Sequence, residues 1–128
     1  MQTPVQSGGG EFGGCCINAT LRDYARIGLF AIDNGVLADG TRVLPEGWMA
    51  ESTIPSEGFA GYGYFWWLNP DGTYQAPGVF GQGIYINEAE NVVIAINSAR
   101  EFASRPEDWA LQDALYRAMT ESILSQVD

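Results

Sequence analysis

The chain carries 6 basic residues among 128, and all of them are arginines: Arg22, Arg26, Arg42, Arg100, Arg105 and Arg117. It has no histidine and no lysine. The usual general bases near neutral pH are therefore missing. A Ser-His-Asp triad, a Cys-His pair, a Schiff-base lysine and a P-loop lysine are all excluded by composition. Carboxylates, tyrosines, the terminal amine and the adjacent Cys15-Cys16 remain. Neighbouring cysteines rarely bridge, because the geometry is strained. Without a histidine to activate them they read as inert, buried or half-buried thiols in a reducing compartment. Two cysteines and no histidine cannot make a four-ligand zinc site, and no cofactor is expected.

The stretch that can still do chemistry is Gly78-Val79-Phe80-Gly81-Gln82-Gly83-Ile84-Tyr85-Ile86. It alternates, starts from glycines and reads as a strand. Glycines at the start of a strand let backbone approach a ligand closely. Gly78, Val79, Phe80, Gly81 and Gln82 are therefore the expected substrate-binding residues. The following Asn91-Val92-Val93-Ile94-Ala95-Ile96-Asn97 is short, apolar and rich in β-branched residues, and reads as a strand covered on both faces. Asn87-Glu88-Ala89-Glu90 is the turn between the two.

The positioning elements follow along the chain. Residues 1–14 read as a flexible Gly-, Ser- and Gln-rich lead-in. Thr20 with Asp23 has capping-box spacing and opens a helix. Its apolar face is Leu21, Tyr24, Ala25, Gly28, Leu29, Ala31 and Ile32, and Asn34-Gly35 ends it. Asp39-Gly40 marks a tight turn between Val36-Leu37 and Val43-Leu44. Pro45 opens a short helix to about Ser52, with Trp48 and Met49 as buried anchors. The aromatic run from Phe59 reads as a strand near 61–68, with Tyr62, Tyr64 and Trp66 on one face and Phe65 and Trp67 on the other. Asn69-Pro70-Asp71-Gly72 turns it into a second strand, 74–86, interrupted by glycines. With 91–97 this makes an antiparallel meander. Ser104-Arg105-Pro106-Glu107 caps a last helix, whose apolar positions are Trp109, Leu111, Leu115, Ala118, Met119 and Ile123. The fold class is α/β of the α+β type: a meander of three or more strands in a single domain, 1–128, with the terminal helices packed on it.

Composition bounds the partners. The net charge is −10, which argues against nucleic acid and anionic membrane surfaces. No apolar run approaches the roughly 20 residues of a membrane span. The first residues lack the basic and apolar regions of a signal peptide, so a cytoplasmic location is expected.

Several motifs occur together and in order. Gly13-Gly14 precedes the helix bearing Leu21-Arg22-Asp23-Tyr24-Ala25-Arg26. Leu44-Pro45-Glu46-Gly47-Trp48 comes next, then Gly61-Tyr62-Gly63-Tyr64-Phe65-Trp66-Trp67, then Gly78-Val79-Phe80-Gly81-Gln82-Gly83. This ordered set resembles the C-terminal part of the serine β-lactamase-like superfamily. That group includes class C β-lactamases, penicillin-binding proteins, family VIII esterases and 6-aminohexanoate-dimer hydrolases. The Gly-x-x-Gly-Gln form is closer to the esterase and amide-hydrolase branch.

The resemblance implies a partial β-lactamase-like fold. In the family, a Ser-x-x-Lys motif supplies the nucleophile, Tyr-x-Asn a second catalytic group, and Lys-Thr-Gly an edge strand of the pocket. Here Ala76-Pro77-Gly78 stands where Lys-Thr-Gly would be, and Val79 N–H becomes the oxyanion donor. Such a donor contributes roughly 3 kcal/mol in a transition state. Ser-x-x-Lys cannot exist in a chain without lysine. Tyr85-Ile86-Asn87 matches Tyr-x-Asn in letters but lies on the strand after the oxyanion segment. The expected function is thus the C-terminal portion of a serine hydrolase acting on a small ester, amide or β-lactam. It would not be catalytic by itself and would be partnered by the missing N-terminal half. The glycine-rich start then reads as an internal loop of a longer parent. The alternative is a non-catalytic module that self-associates, as a homodimer, or binds a ligand. A stand-alone cysteine or carboxylate enzyme is the third reading.

Overall fold

The computed structural model describes residues 17–126. The expected lead-in 1–14 and the Cys15-Cys16 pair lie outside the described residues. The helix α1 spans Leu21–Ile32. Thr20 caps it: its Oγ1 accepts from Asp23 N–H at 3.2 Å and donates to the Asp23 carboxylate at 2.8 Å. Gly35 ends it at φ +73°, and a Cβ there would meet Leu44 at 2.3 Å. The helix lies on the sheet through small residues. Gly28 and Ala31 are buried, and a Cβ on Gly28 would stand 2.4 Å from Val93 Cγ1. Leu21 and Leu29, expected on this face, are exposed. Leu29 sits about 100° round the helix from Gly28, and Leu21 about two turns before it.

The turn at Asp39-Gly40 closes a minimal hairpin with a single bridge, Val36 to Arg42. The short helix α2 is Trp48–Ser52. Met49 is its buried anchor, but Trp48 is exposed and lies against Tyr64, with ring centroids 6.0 Å apart.

The aromatic run is not the long strand expected. It doubles back on itself: Tyr62 bridges Trp67, and Gly63 N–H donates to Trp66 O at 2.9 Å. Tyr64 N–H donates to Ser52 O at 2.9 Å, which ties the fold-back to the end of α2. A Cβ on Gly63 would sit 2.0 Å from that same carbonyl oxygen. Strand β1 is only Trp67–Leu68.

The expected second strand is two strands. β2 is Tyr74–Pro77 and β3 is Gly83–Asn87, paired antiparallel with Pro77 opposite Gly83. β4, Val92–Ile96, follows across the expected Asn87–Glu90 turn. The order is β1-β2-β3-β4, an antiparallel meander of 4 strands.

Alternation along the strands feeds two cores. On one face Tyr74, Ile84 and Ile86 pack with Ala31, Met49 and Trp66, flanked by Ala76 and Val93. On the other, Tyr85, Val92 and Ile94 pack with Tyr116. Tyr116 belongs to the helix α3, Pro106–Leu124. The Tyr85 and Tyr116 rings stack at 4.6 Å with planes 15° apart. The result is an α+β arrangement, helices on both faces of one sheet, consistent with a partial β-lactamase-like fold.

Two features of α3 correct the sequence reading. Its N-cap is Arg105 with no side-chain cap bond, not Ser104. Ser104 is in the left-handed region at φ 52°, and its N–H goes instead to Val79 O. The first turn is held by Arg105 Nε on Asp108 at 2.9 Å. The buried face is also polar, not apolar: Gln112, Tyr116 and Thr120 face the sheet. Leu111, Leu115, Met119 and Ile123 are exposed. Every buried polar side-chain atom among the described residues has a hydrogen-bond partner, so the polar face carries no desolvation cost left unmet. No helix among the described residues is long and apolar enough to cross a membrane.

Candidate functional site

Gly78–Gln82 is the loop of the β2–β3 hairpin. Gly78 N–H donates to Gln82 O at 2.7 Å, and Gly81 N–H donates to Gly78 O at 2.9 Å. Gly81 has φ +87°. A tight turn followed by a left-handed glycine is the three-residue hairpin solution, and it explains why Gly81 is glycine. The Gln82 side chain braces the loop from inside, its Oε1 accepting from Phe80 N–H at 3.2 Å. The β4–α3 connection braces it from outside. Ser104 N–H donates to Val79 O at 2.8 Å, and Arg100 N–H donates to Phe80 O at 3.1 Å.

These bonds use the Gly78, Val79, Phe80 and Gln82 carbonyls and the Gly78, Phe80 and Gly81 amides. Among the described residues the Val79 N–H donates to none. Val79 is 54% exposed and Phe80 42% exposed. Gly78 and Gln82 are half-buried, and Gly81 is buried. The loop is a braced ring of backbone in which the Val79 and Gln82 amides make no hydrogen bond among the described residues, and Val79 is the exposed one of the two.

The room at two of the glycines is taken by the protein itself. A Cβ on Gly81 would lie 2.4 Å from Arg100 Nε, and one on Gly83 would lie 2.2 Å from the Tyr116 hydroxyl and 2.7 Å from Gln112 Nε2. Gly83→Ala is therefore expected to cost about 1–3 kcal/mol by overpacking. Urea unfolding of the variant measures this, and a loss well below that range would show that the Tyr116 contact gives way freely.

One cleft of about 220 Å³ is lined by Asn69, Asp71, Thr73, Tyr85, Asp113 and Arg117. A second of about 500 Å³ lies between Thr53, Pro55, Leu68, Tyr74 and Glu88. Neither touches the 78–82 loop. In the first, Thr73 donates to Asp71 through its hydroxyl at 2.7 Å and its N–H at 3.0 Å. The hydroxyl bond above all holds the Asp71 carboxyl below its usual range, which makes it a poorer base. In the second, Tyr74 OH donates to Glu88 at 2.7 Å. Burial first, then Glu88, pushes that phenol well above its ordinary range. Tyr116 is raised mainly by burial. Both phenols stay protonated at neutral pH. Ser52 Oγ is spent on Met49 O at 2.9 Å. Among the described residues no hydroxyl is paired with a base able to activate it.

The sequence reading took Gly78–Gln82 as the start of a strand and missed both the loop and its supports. Arg100, Ser104, Gln112 and Tyr116 reach the loop from a connection and a helix far along the chain. Nothing local in their neighbourhoods signals that contact.

Comparison with known proteins agrees with this architecture. Residues 2–117 match the Beta-lactamase family. One curated relative is the 6-aminohexanoate-dimer hydrolase of Paenarthrobacter ureafaciens, 29% identical, with 64% of this chain and 25% of the relative covered. The chain thus spans about a quarter of the length of the curated relative it matches. A four-strand meander between helices, with a family match over nearly its whole length, makes this chain a member of the Beta-lactamase family of hydrolases.

Proposed function

We propose that this chain is the C-terminal portion of a serine hydrolase acting on an ester, an amide or a β-lactam. It contributes the oxyanion loop and not the nucleophile. One observation carries this reading: a braced loop leaves the N–H of its exposed residue Val79 without a partner among the described residues, in a chain without lysine or histidine. A donor fixed in advance at the place where negative charge develops lowers the barrier without reorganising. Gly78, Gly81 and Gln82 shape that loop, and the exposed Phe80 ring meets the substrate. Ser-x-x-Lys and Tyr-x-Asn come from a second portion of the same fold.

The surface awaiting that portion is apolar. No described strand pairs with the outer edge of β4, and Val92–Ile96 holds no proline or charge to protect it. Asp113 contacts Gln75 on β2, and Gln112 and Tyr116 stand over Gly83 on β3. Going round α3 away from Asp113 brings the exposed Leu111 and Leu115 toward the β4 side. Co-expression with a polypeptide bearing the two missing motifs tests the reading. Ester hydrolysis is expected only when both portions are present. Full binding without hydrolysis would reject it.

The same exposed edge and stripe favour a second reading, a self-associating module in which a second copy covers them. Sedimentation of the chain alone separates the two. A monomer at high concentration removes the second reading.

A further inference from the structure

We propose that Arg100 is the positioning residue of the Val79 loop and keeps an unneutralised positive charge behind it. The functional meaning rests on the oxyanion reading of Val79; the geometry does not. Arg100 holds the loop in two ways. Its backbone N–H donates to Phe80 O at 3.1 Å. Its guanidinium fills the space a Cβ on Gly81 would need, with Nε 2.4 Å and Cζ 2.7 Å from that position.

The guanidinium is in turn held from α3. Nη2 donates to Gln112 Oε1 at 2.6 Å, and Gln112 Nε2 donates to the Tyr116 hydroxyl at 2.7 Å. Gln112 and Tyr116 are almost fully buried, and Tyr116 is fixed by stacking on Tyr85. The Trp109 ring lies 5.9 Å from Arg100 Cζ. One chain of contacts therefore runs from the sheet centre to the underside of the loop.

All the partners in that chain are neutral. Among the described residues only Arg26 and Arg105 are ion-paired; of the unpaired arginines, Arg100 is the one whose guanidinium lies against the loop. Arg105, five residues on, pairs with Asp108 and Glu107. Arg100 has no carboxylate oxygen within 4 Å among the described residues. Its charge is anchored by an amide and an aromatic face, so its field is not cancelled at close range. Such a field favours negative charge near the loop, where the Val79 N–H has no partner among the described residues.

Amide hydrogen exchange tests both parts on the chain itself, with no substrate. Base-catalysed exchange passes through an amide anion, so a nearby positive charge speeds it at an exposed N–H. In Arg100→Gln, the bonded Gly78 and Gly81 amides are expected to exchange at least about tenfold faster, because the loop opens more often. The Val79 amide is expected to exchange several-fold more slowly at low salt, an effect that added salt erases. Arg100→Lys keeps the charge and loses the fork, so it should loosen Gly81 while leaving Val79 fast. A purely structural role would speed Gly78 and Gly81 in both variants and leave the unbonded Val79 amide unchanged in both, and would overturn the charge assignment. Unchanged Gly78 and Gly81 in both variants would overturn the positioning role. If Arg100→Gln does not fold, Arg100→Lys alone still decides the positioning role, and the salt dependence of Val79 exchange in the unsubstituted chain decides the charge. Either result leaves the oxyanion reading standing or falling on its own kinetics.

Discussion

Val79→Pro in the assembled hydrolase is expected to lower kcat by roughly 10²–10³-fold, the loss seen when one oxyanion donor is removed. The substitution is chosen because it deletes the N–H and little else. Val79 is the second residue of the Gly78–Gly81 turn, where proline is the favoured residue of common turns. Its φ is not in the left-handed region, so the ring's fixed negative φ is admissible. Its carbonyl, which accepts from Ser104 N–H at 2.8 Å, is retained. No described bond is lost, because the Val79 N–H makes none. Stability should therefore stay within about 0.5 kcal/mol, as for surface changes away from special features. Steady-state kinetics beside a thermal melt checks both halves. An unchanged kcat with an unchanged melting temperature would remove Val79 from the reaction. A variant that loses stability would instead show that the N–H serves the fold.

The largest effect on folding is expected from Ile86→Ala. Ile86 has 0% exposure and stands in the middle of β3, opposite Tyr74 on β2 and Val93 on β4. It closes the core under Ala31, Met49 and Trp66. Truncating such a side chain removes apolar contact and leaves a cavity between two strands and α1 that cannot collapse together. The expected loss is about 2–5 kcal/mol. That is a large share of the roughly 5–15 kcal/mol that holds a domain of this size. Denaturant unfolding followed by the fluorescence of the buried Trp66 reads it. A loss under about 1 kcal/mol would mean that the core lies elsewhere.

The parts of this fold that could be read from sequence are those fixed by local chemistry. Thr20 and Asp23 announced the start of α1, Gly35 its end, and the β-branched run Val92–Ile96 its own strand. Reading failed where a distant contact outweighed a local pattern. The alternating aromatics of 61–67 suit a strand, but Gly63 accepts the Ser52 carbonyl at its back and the chain folds over it. The period of Leu111, Leu115 and Met119 suits a buried face, but the sheet beneath presents Gly83 and Tyr85 to Gln112 and Tyr116 instead. At the site, the glycines were visible and their purpose was not. Gly81 and Gly83 make room for Arg100 and Tyr116, and no local rule connects residues so far apart in the chain. The stretch 78–82 was expected as the glycine-rich start of a strand, and it is instead the loop between β2 and β3. On the proposed function, a chain without lysine or histidine takes its activated nucleophile from a second portion of the fold.

That last statement is open to one direct measurement. The chain is incubated alone with a serine-reactive phosphonate, and its intact mass is recorded together with a circular dichroism spectrum showing that it is folded. The proposed function predicts an unchanged mass, because the chain holds neither a lysine nor a histidine to activate a hydroxyl. A stoichiometric adduct on a serine of the folded chain would contradict it and make this chain an enzyme in its own right.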